Sequence, residues 1–367
     1  MTHVVVVSSY PPRHCGIGAY AAAQVERLRS EGHGVTVISP SDGGGDVPVD
    51  FWGGRPFREA LRRSEPRDRV IVHFQPALYY RPRAPWSKVA TSIGLWRLCR
   101  RRPGSEVLVH EADRPIRWRP DYAILRWAFR AAPVLLFHTD RERELLEEWY
   151  GVRTRSRLVD HRDGIRVTVR PTRREAREAL GIPEDEVVFV SPGFLHPDKG
   201  LDRAVSALGD AGRLYLVGSV KDATPRNLAH VDRLRELAAG LDGVMLVERY
   251  LDEAELDRWV AAADAVVLPY RRSWSSGALA RAQALGTPAV VTAVGGLPEQ
   301  ASDRDHVVRD DAELAAALAR IAAGRKRSVR RLSSFDGPPI PITTSVRSTS
   351  TTSPRWSPGR RRGGSRC

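Results

Sequence analysis

Lys199 stands in Phe194-Leu195-His196-Pro197-Asp198-Lys199-Gly200, shortly after an apolar run that ends at Val190. A lysine where a strand gives way to a glycine loop can neutralise a diphosphate as a point charge. Open parallel sheets take their ligands at such strand ends. Gly193 in the same loop leaves the backbone bare. Downstream, Ser275-Ser276-Gly277 opens a helical run. A serine there can cap the first turn, and Ser276-Gly277 can present N–H groups at the positive end of the helix. Gly295-Gly296 follows the next strand-like run and allows close approach, and Glu299 can accept hydrogen bonds from hydroxyls. A cation, a helix N-terminus, a glycine pair and a carboxylate at three strand ends suit a diphosphate carrying a polyhydroxylated group, which is a nucleotide sugar.

Other motifs carry less. Gly16-Ile17-Gly18-Ala19-Tyr20-Ala21 matches the glycine pattern of dinucleotide-binding proteins. Pro11-Pro12 and five other residues separate it from Ser8, where that turn should be tight, and the second strand-like run ends in Ser39-Pro40 rather than in an acid. Hydride transfer is therefore disfavoured, although the loop still offers N–H groups to an anion or to sugar hydroxyls. His161-Arg162-Asp163-Gly164 resembles a kinase catalytic loop, but lacks the following asparagine and any Asp-Phe-Gly, so it reads as an interdomain connection. The acids of Ser302-Asp303-Arg304-Asp305-His306 read as a solvated loop rather than as a hydrolase pair.

These residues need elements to hold them. Val4–Val7, Val35–Ile38, Val70–Phe74, Val107–Val109 and Val134–Phe137 read as strands, with amphipathic helices between them. After residue 165 the pattern restarts at Val187–Val190, Leu214–Val217, Val244–Val247, Ala265–Leu268 and Ala289–Thr292. Two alternating series predict an α/β protein of two doubly wound, Rossmann-like domains, 1–165 and 166–323. From 324 to 367 the Ser/Pro/Arg-rich sequence reads as a disordered tail.

The net charge of +14 suggests nucleic acid until its distribution is read. Residues 324–367 hold 11 Lys/Arg against Asp336, or +10, which leaves +4 for residues 1–323. No nucleic-acid partner is expected. Cys15, Cys99 and Cys367 lie too far apart in sequence for a structural zinc motif. The opening valines read as a first strand rather than a signal core, so the expected place is the cytoplasm. A stripe of Val89, Ile93 and Trp96, with Lys88, Arg97, Arg100, Arg101 and Arg102 around it, adds an expected contact with the inner membrane surface.

Taken in order, YPPRHCGIGAY, VHEADR, VSPGFLHPDKGLD, LVGSVKD, RYLDEAELDRWVAAADAVVLPYR, SSGALARAQALGTPAVVT and GGLPE resemble a family 4 glycosyltransferase of the GT-B architecture over residues 1–320. The resemblance implies two Rossmann-like domains facing a cleft. It implies transfer of a hexose from a UDP- or GDP-sugar to a glycan or lipid-linked acceptor, with retention and without a metal or other cofactor. Lys199, with Gly193, Ser276 and Gly277, would hold the donor diphosphate. Gly295, Gly296 and Glu299 would line the sugar pocket, and Gly16 and Gly18 would meet the cleft from the first domain. His110, in Val109-His110-Glu111, would stand beside the reacting sugar, so His110 and Lys199 are the catalytic candidates.

The chain departs from the family where many members carry two glutamates eight positions apart. Here Ser273 and Arg281 stand at those positions, as in a subgroup with Ser-Gly at the helix start. Arg281 is expected to reach back to a phosphate or to point into solvent. Phe194 replaces an arginine, and the tail offers no final helix. The alternative is a GT-B protein that binds a nucleotide sugar or a partner enzyme without catalysis.

Overall fold

The computed structural model describes residues 3–81, 84–116, 120–220 and 222–333. The first sheet contains β1 (His3–Val7), β2 (Gly34–Ser39), β3 (Val47–Pro48), β4 (Arg69–Phe74), β5 (Ser105–Val109), β6 (Val134–Phe137) and β7 (Ser156–Leu158). All are parallel, in the order β3-β2-β1-β4-β5-β6-β7. The second holds β8 (Val188–Pro192), β9 (Arg213–Gly218), β10 (Val244–Glu248), β11 (Ala265–Leu268), β12 (Ala289–Thr292) and β13 (His306–Val308), parallel in the order β10-β9-β8-β11-β12-β13. Val4–Val7 are fully buried. That is why this strand is an unbroken valine run rather than an alternating one: it is covered on both faces.

Helices complete the layers. In the first domain they are α1 (Gly16–Ser30), α2 (Arg55–Arg63), α3 (Pro76–Tyr79), α4 (Pro85–Arg101), α5 (Pro120–Ala131) and α6 (Asp140–Tyr150). Helix α1 buries Tyr20, Ala21, Gln24, Val25 and Leu28, a single helical face. One core joins α2, α4, α5 and α6 to the sheet through Phe57, Leu95, Phe129 and Leu146. Thr139 and Glu142 form a reciprocal capping box at the start of α6.

A 3-10 turn at His161–Gly164 carries the chain between the sheets. The second domain adds α7 (Arg173–Leu180), α8 (Leu201–Leu208), α9 (Pro225–Ala239), α10 (Glu253–Ala262), α11 (Gly277–Leu285), α12 (Leu297–Gln300) and α13 (Asp311–Ser333). In each sheet the strand order reverses beside the first strand of its domain, between β1 and β4 and between β8 and β11. Those two switch points place the loops after β1, β8 and β11 where a ligand is expected.

One expectation is corrected. The last helix does not stop at Ala323 but continues to Ser333. Its added residues are mostly helix-permissive Arg, Lys and Ser, and Gly324 is tolerated inside it. Arg325 ties the extension to the second domain, donating to the Glu184 carbonyl at 2.7 Å and lying 3.4 Å from the Asp264 carboxylate. The rest of the expected tail, 334–367, lies outside the described residues.

Candidate functional site

A cavity of about 240 Å³ opens between the domains at these switch points. Gly193, Lys199, Tyr270, Gly277 and Ala278 line it from the second domain, and Cys15, Gly16, Ala19 and Tyr20 from the first. The Lys199 Nζ lies 3.7 Å from the centroid of the Tyr270 ring. No carboxylate pairs with it among the described residues. Tyr270 Oη in turn lies 3.3 Å from Ser276 Oγ.

Ser276 is buried and caps α11, its hydroxyl accepting from Leu279 N–H at 3.2 Å. Gln300 brackets the cap, accepting from Ser276 N–H at 2.8 Å and donating to the Ser276 carbonyl at 2.7 Å. The first N–H groups of a helix have no partner inside it. At Gly277 and Ala278 they belong to residues that face the cavity. A cation over an aromatic ring and a positive helix end thus meet at one place.

The other expected donor residues lie elsewhere. Gly295, Gly296 and Glu299 sit in a seam against the first domain. Gly295 has φ +56°, and a Cβ there would lie 1.8 Å from the Ser273 carbonyl, so only glycine fits. Gly296 N–H donates to the Trp274 carbonyl at 2.7 Å. Glu299 accepts from Arg141 N–H at the start of α6, 3.1 Å away, and opens onto a separate polar groove of about 520 Å³. Between them Trp274 enters the core of the first domain, its ring 5.8 Å from that of Trp149.

Arg281 requires a correction. It neither points into solvent nor is free to reach a phosphate. Its guanidinium is buried, bonds Asp257 Oδ1 and Glu253 Oε2, and donates to the Arg166 carbonyl at 3.3 Å. Asp257 is fully buried, and its other oxygen accepts from Thr168 and Val169 N–H at 2.6 and 3.0 Å. A charge at this depth is sustained only by such pairing.

On the first-domain side, Gly16 lines the cavity, whereas Gly18 lies beneath it against Ser9 and Tyr10. His110 does not reach the cavity wall either. It lies behind Tyr20, whose ring is edge-on to it with centroids 5.3 Å apart. Tyr20 also meets His73, His138 and His161. His73 lies near the C-terminal end of β4, His110 and His138 directly follow β5 and β6, and His161 opens the 3-10 turn after β7; these strands are adjacent, which explains the cluster. Gln24 Oε1 lies 3.0 Å from His73 Nε2, and His73 Nδ1 lies 3.0 Å from His110 Nε2. With Gln24 accepting, His73 carries its proton on Nε2 and His110 donates from Nε2, which leaves His110 Nδ1 as an acceptor. Burial lowers all four imidazoles, to about 3 for His73 and about 4 for His138, with the other two well below the ordinary value. Burial also raises the Tyr20 hydroxyl.

Comparison with known proteins fits this geometry. Residues 185–323 match the family described as Glycosyl transferases group 1. The second domain is a group 1 glycosyl transferase domain. The chain is 37% identical over 185 residues to a D-inositol 3-phosphate glycosyltransferase of Nocardioides sp., covering 46% of this chain and 40% of that protein. A protein of the same name from Kribbella flavida is 30% identical over 210 residues, 52% of this chain and 49% of its own length. The chain therefore matches less than half the length of these relatives. In fold, the Anabaena protein HepE in complex with UDP and glucose superposes with a TM-score of 0.65 at 14% identity, over 91% of this chain and all of the other. Sucrose-phosphate synthase from Thermosynechococcus elongatus gives 0.62 at 17%, over 90% and 95%. The architecture is GT-B. The glycosyl transferase domain contributes Lys199 and the α11 N-terminus to the cavity, and the first domain closes it with Tyr20 and Gly16.

Sequence reasoning missed Tyr20, Tyr270, Gln300 and Trp274. Gln300 was visible only as the residue after GGLPE, and nothing in sequence joins it to Ser276.

Proposed function

We propose that the chain transfers a hexose from a UDP- or GDP-sugar to a glycan or lipid-linked acceptor with retention at the anomeric carbon and without a metal. The observation that carries this reading is the convergence of Lys199 and the α11 N-terminus on one interdomain cavity. A departing nucleoside diphosphate gains negative charge, and fixed donors that meet it there lower the barrier without reorganising. Closure between the two domains keeps water from the reacting carbon. His110, with Nδ1 free to accept, orders the first-domain wall through Tyr20. The names of the sequence relatives make D-inositol 3-phosphate the first acceptor to test.

The proposed place is the cytoplasm, with a peripheral contact at the inner membrane surface. No helix among the described residues is long and apolar enough to cross a membrane.

The test is release of UDP or GDP from a panel of nucleotide sugars, with and without EDTA, and assignment of the product anomer by NMR. Turnover with a retained anomer in the presence of EDTA supports the reading. Tight nucleotide binding with no transfer to any acceptor favours the non-catalytic alternative.

A further inference from the structure

Glu253 is the one carboxylate among the described residues that line the cavity. It is the first residue of α10, which Asp252 and Glu255 fix through a reciprocal capping box. Its side chain is 32% exposed, so it is open to the cavity. Arg281 holds Oε2 from behind, and Arg281 is itself held by buried Asp257 and the Arg166 carbonyl. No protein donor meets Oε1 among the described residues. The result is an acceptor-only group on the cavity wall with one oxygen fixed by Arg281 and the other without a protein donor among the described residues.

Its neighbours suggest what it accepts from. Tyr250, Leu251 and Leu256 line the cavity beside it. The Tyr250 ring is stacked on His14 of the first domain, centroids 3.5 Å apart, and with Leu251 and Leu256 it forms an aromatic and aliphatic bed. The anion-binding pole, Lys199 with the α11 N-terminus, is a separate part of the same wall. The first domain faces that wall across the cavity with Tyr20, Gly16 and Ala19. A nucleoside diphosphate has its diol between phosphate and base, and the wall has a carboxylate among a cationic pole and an apolar bed.

We infer that Glu253, set by Arg281 and Asp257, accepts the ribose hydroxyls of the donor nucleotide. Arginine at position 281 cannot accept a hydrogen bond, and Glu299 is turned to α6. Glu253 supplies the acceptor that neither provides. This rests on the nucleotide-sugar reading above and names a residue that fixes selection for a ribose diol.

The experiment is calorimetry on the full chain with UDP and GDP and with their 2′,3′-dideoxy analogues. The wild type should prefer the ribose form by roughly ten- to a hundred-fold, the scale of hydrogen bonds to a charged acceptor. Glu253→Ala should bring that ratio close to one, and Glu253→Gln, which keeps the shape, should reduce it. Circular dichroism confirms that each variant is folded. A wild-type ratio near one, or a ratio that survives in folded Glu253→Ala, overturns the role of Glu253 while leaving the nucleotide reading intact. A wild type that binds neither UDP nor GDP overturns the nucleotide reading, and the Glu253 assignment with it.

Discussion

Lys199 and Arg281 are both cations on the cavity wall, yet their surroundings give them opposite roles. Lys199 has an aromatic ring beneath it and no carboxylate beside it among the described residues, so its charge is available to a ligand. Lys199→Ala should weaken binding of UDP or GDP by about 1.5–3 kcal/mol, the worth of a charge-assisted contact. Unchanged affinity by calorimetry would remove Lys199 from the donor site. The charge of Arg281 is already spent on Asp257 and Glu253. Arg281→Glu would place a third carboxylate against a fully buried one. It should destabilise the fold by at least about 3–5 kcal/mol, the cost of breaking a buried pair. Urea unfolding measures this, and a variant as stable as wild type would show that the buried pairing is not what holds the arginine there. From sequence, position 281 reads as a lost acid. Its compensation was illegible because Asp257 and Glu253 lie on α10, far away along the chain, and only packing of α10 against α11 brings the three together.

At the scale of elements, the central strands were legible because β-branched runs buried on both faces leave a dense apolar signature. The short edge strands β3, β7 and β13 leave none. The Tyr20 cluster was equally hidden, since each histidine lies near or after the end of a different strand and only strand order makes them neighbours. Nearby, Glu142 of α6 is buried at the domain seam and accepts from His138 and Thr139 N–H at 2.6 and 3.2 Å. Burial raises its carboxyl to about 7, with Ser275 and the two N–H groups opposing and the Glu299 charge adding. The two sets act on stability in opposite senses. The folded state keeps the Glu142 proton when the unfolded chain has lost it, so this carboxyl costs stability as pH rises from its ordinary value to about 7. The histidines refuse protons that the unfolded chain takes up, so stability falls as pH drops below about 6.5 towards the lowered values. Glu142→Gln mimics the protonated carboxyl. It should be more stable than wild type at pH 8, and the gap should narrow at pH 5.5, closing only below the ordinary carboxyl value. Urea midpoints at the two pH values check this, and a gap independent of pH would mean that Glu142 does not titrate in the folded seam.

For the whole molecule, the two faces of the first domain carry different surfaces. One side meets the second domain through Trp274, Glu299 and the Tyr20 cluster. On the outer layer, Trp86 is 80% exposed on α4 and Trp127 is 60% exposed on α5, and the two helices pack together. Trp52, packed against α4 through its turn, and Trp96 add further exposed indole. Of the basic residues around the α4 stripe, Lys88 pairs with Asp113, and Arg102 donates to the Leu61 and Ser64 carbonyls. Arg97, Arg100 and Arg101 stay exposed and have no carboxylate partner among the described residues. Exposed indoles bordered by unpaired arginines complement an anionic bilayer, where the rings sit among headgroups and each arginine adds about 1 kcal/mol. The chain should therefore float with vesicles that contain phosphatidylglycerol and not with neutral ones. Because the attraction is screened, added salt should release it. Replacing Arg97, Arg100 and Arg101 together by alanine should weaken the partition by about 3 kcal/mol. Trp86→Ser with Trp127→Ser should weaken it without changing its salt dependence, since the apolar term is not screened. Equal flotation with neutral and anionic vesicles, or flotation with neither, would rule out this surface as an electrostatic membrane contact. Flotation with neither would leave the exposed tryptophans to a protein partner instead.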